Sequence, residues 1–245
     1  MLNPKNRPCK VCGNNDPKKI TLVEILGEAC RIQCQICRLI YFDRINYPIP
    51  TYNEEYNKIF FRPTDIRKAG IMACELTLLS KKRTDNPKIL EVGPGNGLTS
   101  ILLKYMGIHI SVIDVDDKLC SELNNKYNIP TYCMPFESLQ GNNNFDLIYA
   151  GHTIEHSEDI LTFFTTARSL LKEGGLFVFD TPNAEYWTNE GTAWKHFRTR
   201  QPYEHCSLLS EKTIRLIAGS MNFELINIEL SEPYQSLYVI LEKSC

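Results

Sequence analysis

Surplus charge, long apolar runs and repetition are all scarce in this chain of 245 residues. Lys and Arg total 27 against 29 Asp and Glu, a formal net charge of −2. A general nucleic-acid binder needs a basic surplus to neutralise phosphates, so this balance argues against one while leaving room for a locally basic pocket. No apolar stretch approaches the roughly 20 residues that span a bilayer, and the start, "MLNPKNRPCKVCGNN", has no apolar signal-peptide segment. The expectation is a cytoplasmic protein with no membrane attachment. There is no internal repeat, and the only low-complexity patch, "GNNNF", reads as a turn. What remains is an ordinary globular composition, 43% hydrophobic and 23% charged, long enough for one large domain or one domain with a small appendage.

Cysteine is plentiful: ten in all, five of them at Cys9, Cys12, Cys30, Cys34 and Cys37. In a cytosolic chain of this size they suggest metal ligands and reduced core thiols rather than disulfides. Cys9-x2-Cys12 and Cys34-x2-Cys37 are two C-x-x-C pairs separated by the 21 residues from Gly13 to Gln33. Gly13 permits the tight turn in which both thiolates of the first pair face one ion. Four thiolates make a closed tetrahedral zinc site, hence a structural one. Cys30 is an alternative ligand, and a rubredoxin-like iron site is the other chemical option. "INYPIPTYNEEY", with Pro48 and Pro50, reads as a joint. The expected organisation is a zinc-binding module over residues 1–46 and a second domain over 47–245.

After the joint, residues 54–84 have a helical pattern, broken near Pro63. Strands and helices then alternate. The expected strands are "KILEVG", "HISVIDV", "PTYCM", "FDLIYAG", "GLFVFDTP", "FELINIELS" and "SLYVILEK". Helices are expected near 97–106, 117–127, 158–173 and 210–221. The early strands are continuous apolar runs bounded by helices, as in a parallel sheet covered on both faces. The last two, joined by the short "SEPYQ", should form an antiparallel hairpin at one edge.

Between the first of these strands and its helix lies "ILEVGPGNGLTS", with Gly93, Gly95 and Gly97 at alternate positions. A dinucleotide turn would read G-x-G-x-x-G, which would require glycine where Leu98 stands. The spacing is instead E-x-G-x-G-x-G, led by Glu91. A carboxylate is badly placed for a pyrophosphate but well placed for a ligand carrying an ammonium and a sulfonium. Asp114 ends the next strand about 20 residues on, where an acid accepts ribose hydroxyls. Taken together, Glu91, the alternate glycines and Asp114 favour S-adenosylmethionine over NAD.

With "ILEVGPGNG", "VIDVD", "FESL", "FDLIYAGHTIEH" and "LLKEGGLFVFDTPN" in order, residues 55–245 resemble the class I S-adenosylmethionine-dependent methyltransferases. The resemblance implies an α/β fold with a Rossmann-like seven-stranded sheet and a terminal β-hairpin, here preceded by the small zinc-binding module. It also implies that Glu91 orders the turn or the methionine amine, and that Gly93 and Gly95 let the backbone approach that moiety. Asp114 would hold the ribose, Val115 would pack on adenine, and Phe136 would lie by the adenine ring. Gly151, after the fourth strand, joins this cofactor-binding set. A zinc module before such a domain resembles the deoxysugar methyltransferases of antibiotic pathways.

"GHTIEHSED" follows the fourth strand. On a helical turn His152, Glu155 and His156 would share one face. The segment resembles the E-x-x-E-H of ubiquinone-pathway O-methyltransferases, with His152 replacing the first acid, and could hold a second divalent ion such as manganese or magnesium. In members of the family without a metal, Glu-His here shapes the acceptor pocket. A later long connection, "NAEYWTNEGTAWKHFRTRQPYEHCS", is aromatic-rich and carries Lys195, His196, Arg198, Arg200 and His205. Read as a lid, it would enclose the acceptor and bind its phosphate or carboxylate. His156 and His205 are the candidate catalytic bases for a hydroxyl acceptor.

These readings lead to a small-molecule methyltransferase acting on an anionic acceptor, with O-methylation favoured. A nucleotide-linked sugar or other activated precursor of surface polysaccharide biosynthesis is the substrate class. A tRNA or protein methyltransferase, a non-catalytic zinc-containing adaptor with a vestigial cofactor fold, and a nicotinamide dehydrogenase are the other readings. The oligomeric state is left open.

Overall fold

A computed structural model describes residues 7–26, 29–43, 63–189, 204–231 and 236–244. Pro48 and Pro50, the helical stretch expected ahead of Pro63, and the lid residues Lys195, His196, Arg198 and Arg200 lie outside the described residues.

The chain forms two compact units, neither of them a single stretch. The first takes Met1–Pro50, His152–Phe164 and Asp180–Val239; the second takes Thr51–Gly151, Thr165–Phe179 and Ile240–Cys245. In chain order the strands are β1 (Ile20–Leu26), β2 (Ala29–Cys34), β3 (Ile40–Phe42), β4 (Lys88–Val92), β5 (His109–Asp114) and β6 (Thr131–Cys133). They continue with β7 (Phe145–Gly151), β8 (Leu171–Pro182), β9 (Ser207–Leu208), β10 (Phe223–Ser231) and β11 (Ser236–Lys243). A seven-stranded sheet has the order β10-β11-β8-β7-β4-β5-β6, and a four-stranded sheet the order β1-β2-β3-β9. All seven strands expected from the second domain are present in the larger sheet. The expected helices appear at Leu98–Tyr105, Asp117–Tyr127, Ile160–Leu170 and Glu211–Ser220, and a fifth, at Pro63–Lys81, begins on the proline expected to break the pattern.

In the second unit β4 pairs in parallel with β5 on one side and β7 on the other, and β5 pairs in parallel with β6. The chain therefore leaves β4 toward β5 and β6, then returns to add β7 on its other flank. Such a reversal opens a crevice at the carboxyl ends of the strands, where ligands of open parallel sheets bind. Local chemistry fixes the connections. Asp116 caps the helix Asp117–Tyr127 by accepting from the amides of Lys118 and Leu119, and Asn128 closes it in a left-handed conformation.

The first unit holds strands to which sequence reading assigned none. β1 pairs antiparallel with β2, with a bulge between Leu22 and Glu24; β2 pairs with β3, and β3 with β9. Every side chain of β2 is buried, including Arg31. The Arg31 guanidinium lies 3.3 Å from Glu24 and 3.1 Å from the His205 carbonyl, and 5.3 Å over the Phe42 ring. Ile40, Ala184 and Leu208 form a core cluster beside this sheet, flanked by Val23 and Tyr186.

Removing one partner of a buried pair strands the other charge. Arg31→Ala is expected to cost about 3–5 kcal/mol, read as a shift in denaturant midpoint; a loss under about 1 kcal/mol would show that Arg31 does not hold this sheet together.

Candidate functional site

The expected cofactor residues all fall in the second unit. Beyond β4 the chain turns through Gly93, Gly95 and Gly97, with φ of 62°, 59° and 72°. Side chains disfavour this left-handed region, and at Gly97 a Cβ would also lie 2.8 Å from Leu123 Cδ2. The Gly93 amide donates to the Ile113 carbonyl at 3.0 Å, tying the turn to β5. Glu91 lies below, 3% exposed, and accepts a hydrogen bond from the Ser100 hydroxyl in the first turn of the next helix. Burial pushes its pKa up to about 7 against the opposing pull of Ser100, and the Asp114 charge adds to the rise. Ser100 is a neutral donor, and among the described residues no ion pair reaches Glu91.

Asp114 ends β5 and accepts from the Asp116 amide at 2.8 Å; burial raises its pKa as well. Val115 beside it is 63% exposed, an apolar side chain offered to solvent. Phe136 is buried in a short 3-10 turn, Phe136–Ser138, after β6. Gly151 ends β7, where a Cβ would come within 2.8 Å of Tyr149 Cζ and closer still to its hydroxyl. The residues read from scattered motifs thus lie at the carboxyl ends of β4, β5, β6 and β7. Ser100, the partner of Glu91, went unread; its signal is its place three residues beyond the last glycine.

His152, His156 and His205 belong to the first unit, and their arrangement departs from the expected helical face. His152 has φ 49°, its amide donates to the Asp180 carbonyl at 3.1 Å, and a 3-10 turn at Ile154–His156 follows. A 3-10 turn thus stands where an α-helical one was expected, and of that pattern the i, i+3 contact of His152 with Glu155 is kept. Glu155, His156 and His205 gather, with one donor atom from each within 4.8 Å of the others. The segment carrying His205 is laced to the turn. The Cys206 amide donates to the Glu155 carbonyl at 2.7 Å, and the Ser207 hydroxyl to the Ser157 carbonyl at 3.2 Å. The His156 and His205 rings meet edge to face at 4.9 Å.

His156 Nδ1 lies 3.1 Å from the Glu204 carbonyl. A carbonyl only accepts, so Nδ1 carries a proton. Glu155 is fully buried, with Oε1 3.3 Å from His152 Nδ1. Burial pushes its pKa up, but the His152 hydrogen bond and the neighbouring histidines outweigh this and hold it near 2. Burial drives His205 the other way, to about 3, so its ring is neutral at physiological pH. Glu155 Oε2 and His205 Nδ1 are buried with no hydrogen-bond partner among the described residues.

The four cysteines also converge in the first unit. Cys9 and Cys37 sulfurs are 3.4 Å apart, Cys12 and Cys34 sulfurs 3.5 Å, and all four lie within 4.8 Å of one another. A zinc tetrahedron with bonds of about 2.3 Å spaces its sulfurs by about 3.8 Å, so the donor set fits that ion. The two knuckles repeat one geometry. Gly13 at φ 69° donates to the Cys9 carbonyl at 2.7 Å, and Arg38 at φ 70° donates to the Cys34 carbonyl at 2.8 Å. Arg38 occupies the glycine position of the second knuckle, held by a two-pronged bond to Glu185 at 2.9 Å. Cys30, the alternative ligand, stands outside the cluster. The Cys37 carbonyl accepts from the hydroxyls of Ser210 and Thr213, which cap the helix Glu211–Ser220.

A parallel sheet whose switch-point strand ends in a buried acid and an alternate-glycine turn, with a second acid ending the neighbouring strand, defines a methyltransferase domain. Residues 66–228 match the family model described as a methyltransferase domain, and the chain belongs to that family. Over 158 residues it is 32% identical to a ubiquinone biosynthesis O-methyltransferase of Paramagnetospirillum magneticum, covering 54% of this chain and 61% of that relative. The chain thus spans about three fifths of that relative's length. Among solved structures it resembles the PH0226 protein of Pyrococcus horikoshii at TM-score 0.59 and 18% identity, covering 79% of this chain and all of that one. A second neighbour is the Burkholderia thailandensis 1,6-didemethyltoxoflavin-N1-methyltransferase, with bound S-adenosylhomocysteine, at TM-score 0.57 and 13% identity over 91% of this chain and 98% of that one. No helix among the described residues is long and apolar enough to cross a membrane.

Because its folded pKa is raised, Glu91 contributes stability that is present below its ordinary value of 4.5 and lost as pH rises through about 7. Unliganded protein should lose stability over that window by at most about 1.4 kcal/mol per pH unit from this group. Denaturation of wild type and Glu91→Gln across the window checks it: the variant should flatten the slope, and parallel slopes would show that Glu91 is not the titrating group.

Proposed function

We propose that this chain transfers a methyl group from S-adenosylmethionine to the oxygen of a small anionic acceptor. The carrying observation is Glu91, an acid buried under an alternate-glycine turn with no ion pair among the described residues. A nucleotide phosphate would be repelled there, whereas the ammonium of a methionine tail supplies the missing charge. Asp114 offers a carboxylate to the ribose hydroxyls, and exposed Val115 an apolar surface to the adenine. Phe136 and Gly151 complete the cofactor set.

When bound, the sulfonium supplies an electrophilic methyl group, and in-line displacement consumes its positive charge. The protein's task is then to position the acceptor and exclude water. A hydroxyl acceptor must also lose its proton, and we assign its acceptance to His156, against whose ring His205 packs edge to face. The relative named as a ubiquinone biosynthesis O-methyltransferase supports oxygen as the methylated atom. The cations Lys195, Arg198 and Arg200 in the sequence support an acceptor bearing phosphate or carboxylate, such as a nucleotide-linked sugar or other activated surface-glycan precursor. Cys9, Cys12, Cys34 and Cys37 hold a structural zinc in a module over residues 1–46, ahead of a methyltransferase domain over 47–245, and the protein works in the cytoplasm.

Calorimetric titration tests the cofactor. S-adenosylmethionine should bind and NAD should not; NAD binding alone would replace this reading with a dehydrogenase, and binding of neither with an adaptor. His205→Ala should lower methyl transfer by about 10²-fold or more with cofactor affinity little changed. Equal loss of both would make His205 a structural residue.

A further inference from the structure

We infer that Cys120 and Cys133 form a reversible oxidation site, a thiol pair that hydrogen peroxide closes to a disulfide beside Asp114. Both residues lie in the second unit, and the site stands whether or not the chain transfers methyl groups.

Two separate elements bring the sulfurs together. Cys120 stands in the helix Asp117–Tyr127 and is 4% exposed, with its Sγ 3.7 Å from the Asp114 carbonyl. Cys133 ends β6, the last strand of its sheet, and pairs in register with Asp114. The same Asp114 carbonyl accepts from the amide of Met134, the residue after Cys133, at 3.1 Å. The two thiols thus flank one carbonyl, and a side-chain hydrogen bond joins them. The Thr131 hydroxyl donates to the Cys120 carbonyl at 3.4 Å and holds helix and strand in this arrangement. Cys74, the other exposed thiol among the described residues, stands in the helix Pro63–Lys81.

The two thiols are unequal, which gives each a role. Burial pushes Cys120 up to about 12, and the hydrogen bond and charge of Cys133 and the charge of Asp114 add to the rise. Cys120 therefore keeps its proton, while Cys133, at the surface, is the sulfur that meets solutes. Its thiolate attacks one oxygen of hydrogen peroxide: an S–O bond forms, the O–O bond breaks, and hydroxide leaves as water with the proton Cys133 gave up. The resulting sulfenic acid is neutral, so the Cys133 charge no longer holds Cys120 up. Cys120 then attacks the Cys133 sulfur: an S–S bond forms, the S–O bond breaks, and the departing hydroxide leaves as water with the Cys120 proton. Two thiols lose two hydrogens, and one peroxide becomes two waters. Contact between the sulfurs supplies what Cys120 lacks in acidity. A thiol reductant reverses the change, and transient disulfides of this kind are the ones found in reducing compartments. The new bond, about 2.05 Å long, ties the last strand of the sheet to the helix across Asp114. That acid is the one assigned to the ribose, so the state of the pair is felt at the cofactor.

The test is peptide mass spectrometry of the full chain, alkylated before and after treatment with hydrogen peroxide. Cys120 should be found joined to Cys133, and a thiol reductant should restore both. Cys74→Ser, which removes the other exposed thiol, should leave the result unchanged. In Cys120→Ala, Cys133 should instead run on to sulfinic acid. A wild type that keeps both thiols under peroxide, or that joins either to a different cysteine, would overturn the site. A second measurement reads the consequence at Asp114 and rests on the proposed cofactor. Oxidised wild type should bind S-adenosylmethionine about 5-fold or more weakly than the reduced form, the lower end of ordinary coupling between two sites. Cys133→Ser should bind it equally before and after peroxide, which separates this effect from oxidation at the four-cysteine cluster. A disulfide that leaves affinity unchanged would overturn the link to the cofactor. Binding by neither form would overturn the cofactor reading and leave the site, which the peptide analysis alone decides.

Discussion

The carboxylate of Glu91 is kept out of water at the end of β4, and much of the second unit is arranged around that fact. An anion in that position needs a neighbour that donates, and Ser100 supplies it only if the helix Leu98–Tyr105 starts immediately above. The helix can start there only if the chain reverses within five residues, which three left-handed glycines allow. Gly97 suits this place because its φ of 72° is one side chains rarely adopt, and a Cβ there would also press on Leu123. Ser100 leaves the charge uncompensated, so the pKa rises and the cradle is at its most stable with a proton or a cation beside Glu91. Binding a cationic ligand and tolerating a buried acid are the same requirement seen from two sides.

The first unit meets a similar problem with different chemistry. Its polar interior includes Arg31, Glu155 and His205, all buried, alongside four thiols gathered at one point. Hydrogen bonds that end on backbone carbonyls carry the burden of alignment there, since Glu204, Cys206 and Ser207 are each fastened to the turn at Glu155–Ser157. Arg38 shows that a knuckle can dispense with glycine when the side chain is anchored, here by Glu185, against the cost of its left-handed backbone.

Local patterning carried most of the methyltransferase half in the sequence, because apolar runs of strand length and helical periodicity recur there with glycine, Asp and Asn at the boundaries. The cysteine spacing carried the four-thiol cluster for the same reason, a short-range geometry written in short-range spacing. The strands β1 and β2 were equally local, in "ITLVEIL" and "ACRIQC", and were masked by reading the segment for its cysteines alone. Two features needed tertiary information. One is the union of His205 with Glu155 and His156, made by contacts across a long connection that no spacing predicts. The other is the conformation of His152, where a backbone bond to Asp180 overrides the helical pattern of the side chains. The sequence groups His152 with Glu155 and His156; the fold adds His205.

The account's central claim is that Glu91 faces a cation when the cofactor is bound, and proton release on binding measures that most directly. Calorimetry of S-adenosylmethionine binding at pH 6, repeated in buffers of different ionisation enthalpy, counts the protons exchanged. At that pH the ligand's amine is already charged and Glu91 is mostly protonated, given a pKa of about 7. Release of most of one proton per site, abolished in Glu91→Gln, is the predicted result. Binding with no net proton release, or release unchanged in the variant, would contradict the account.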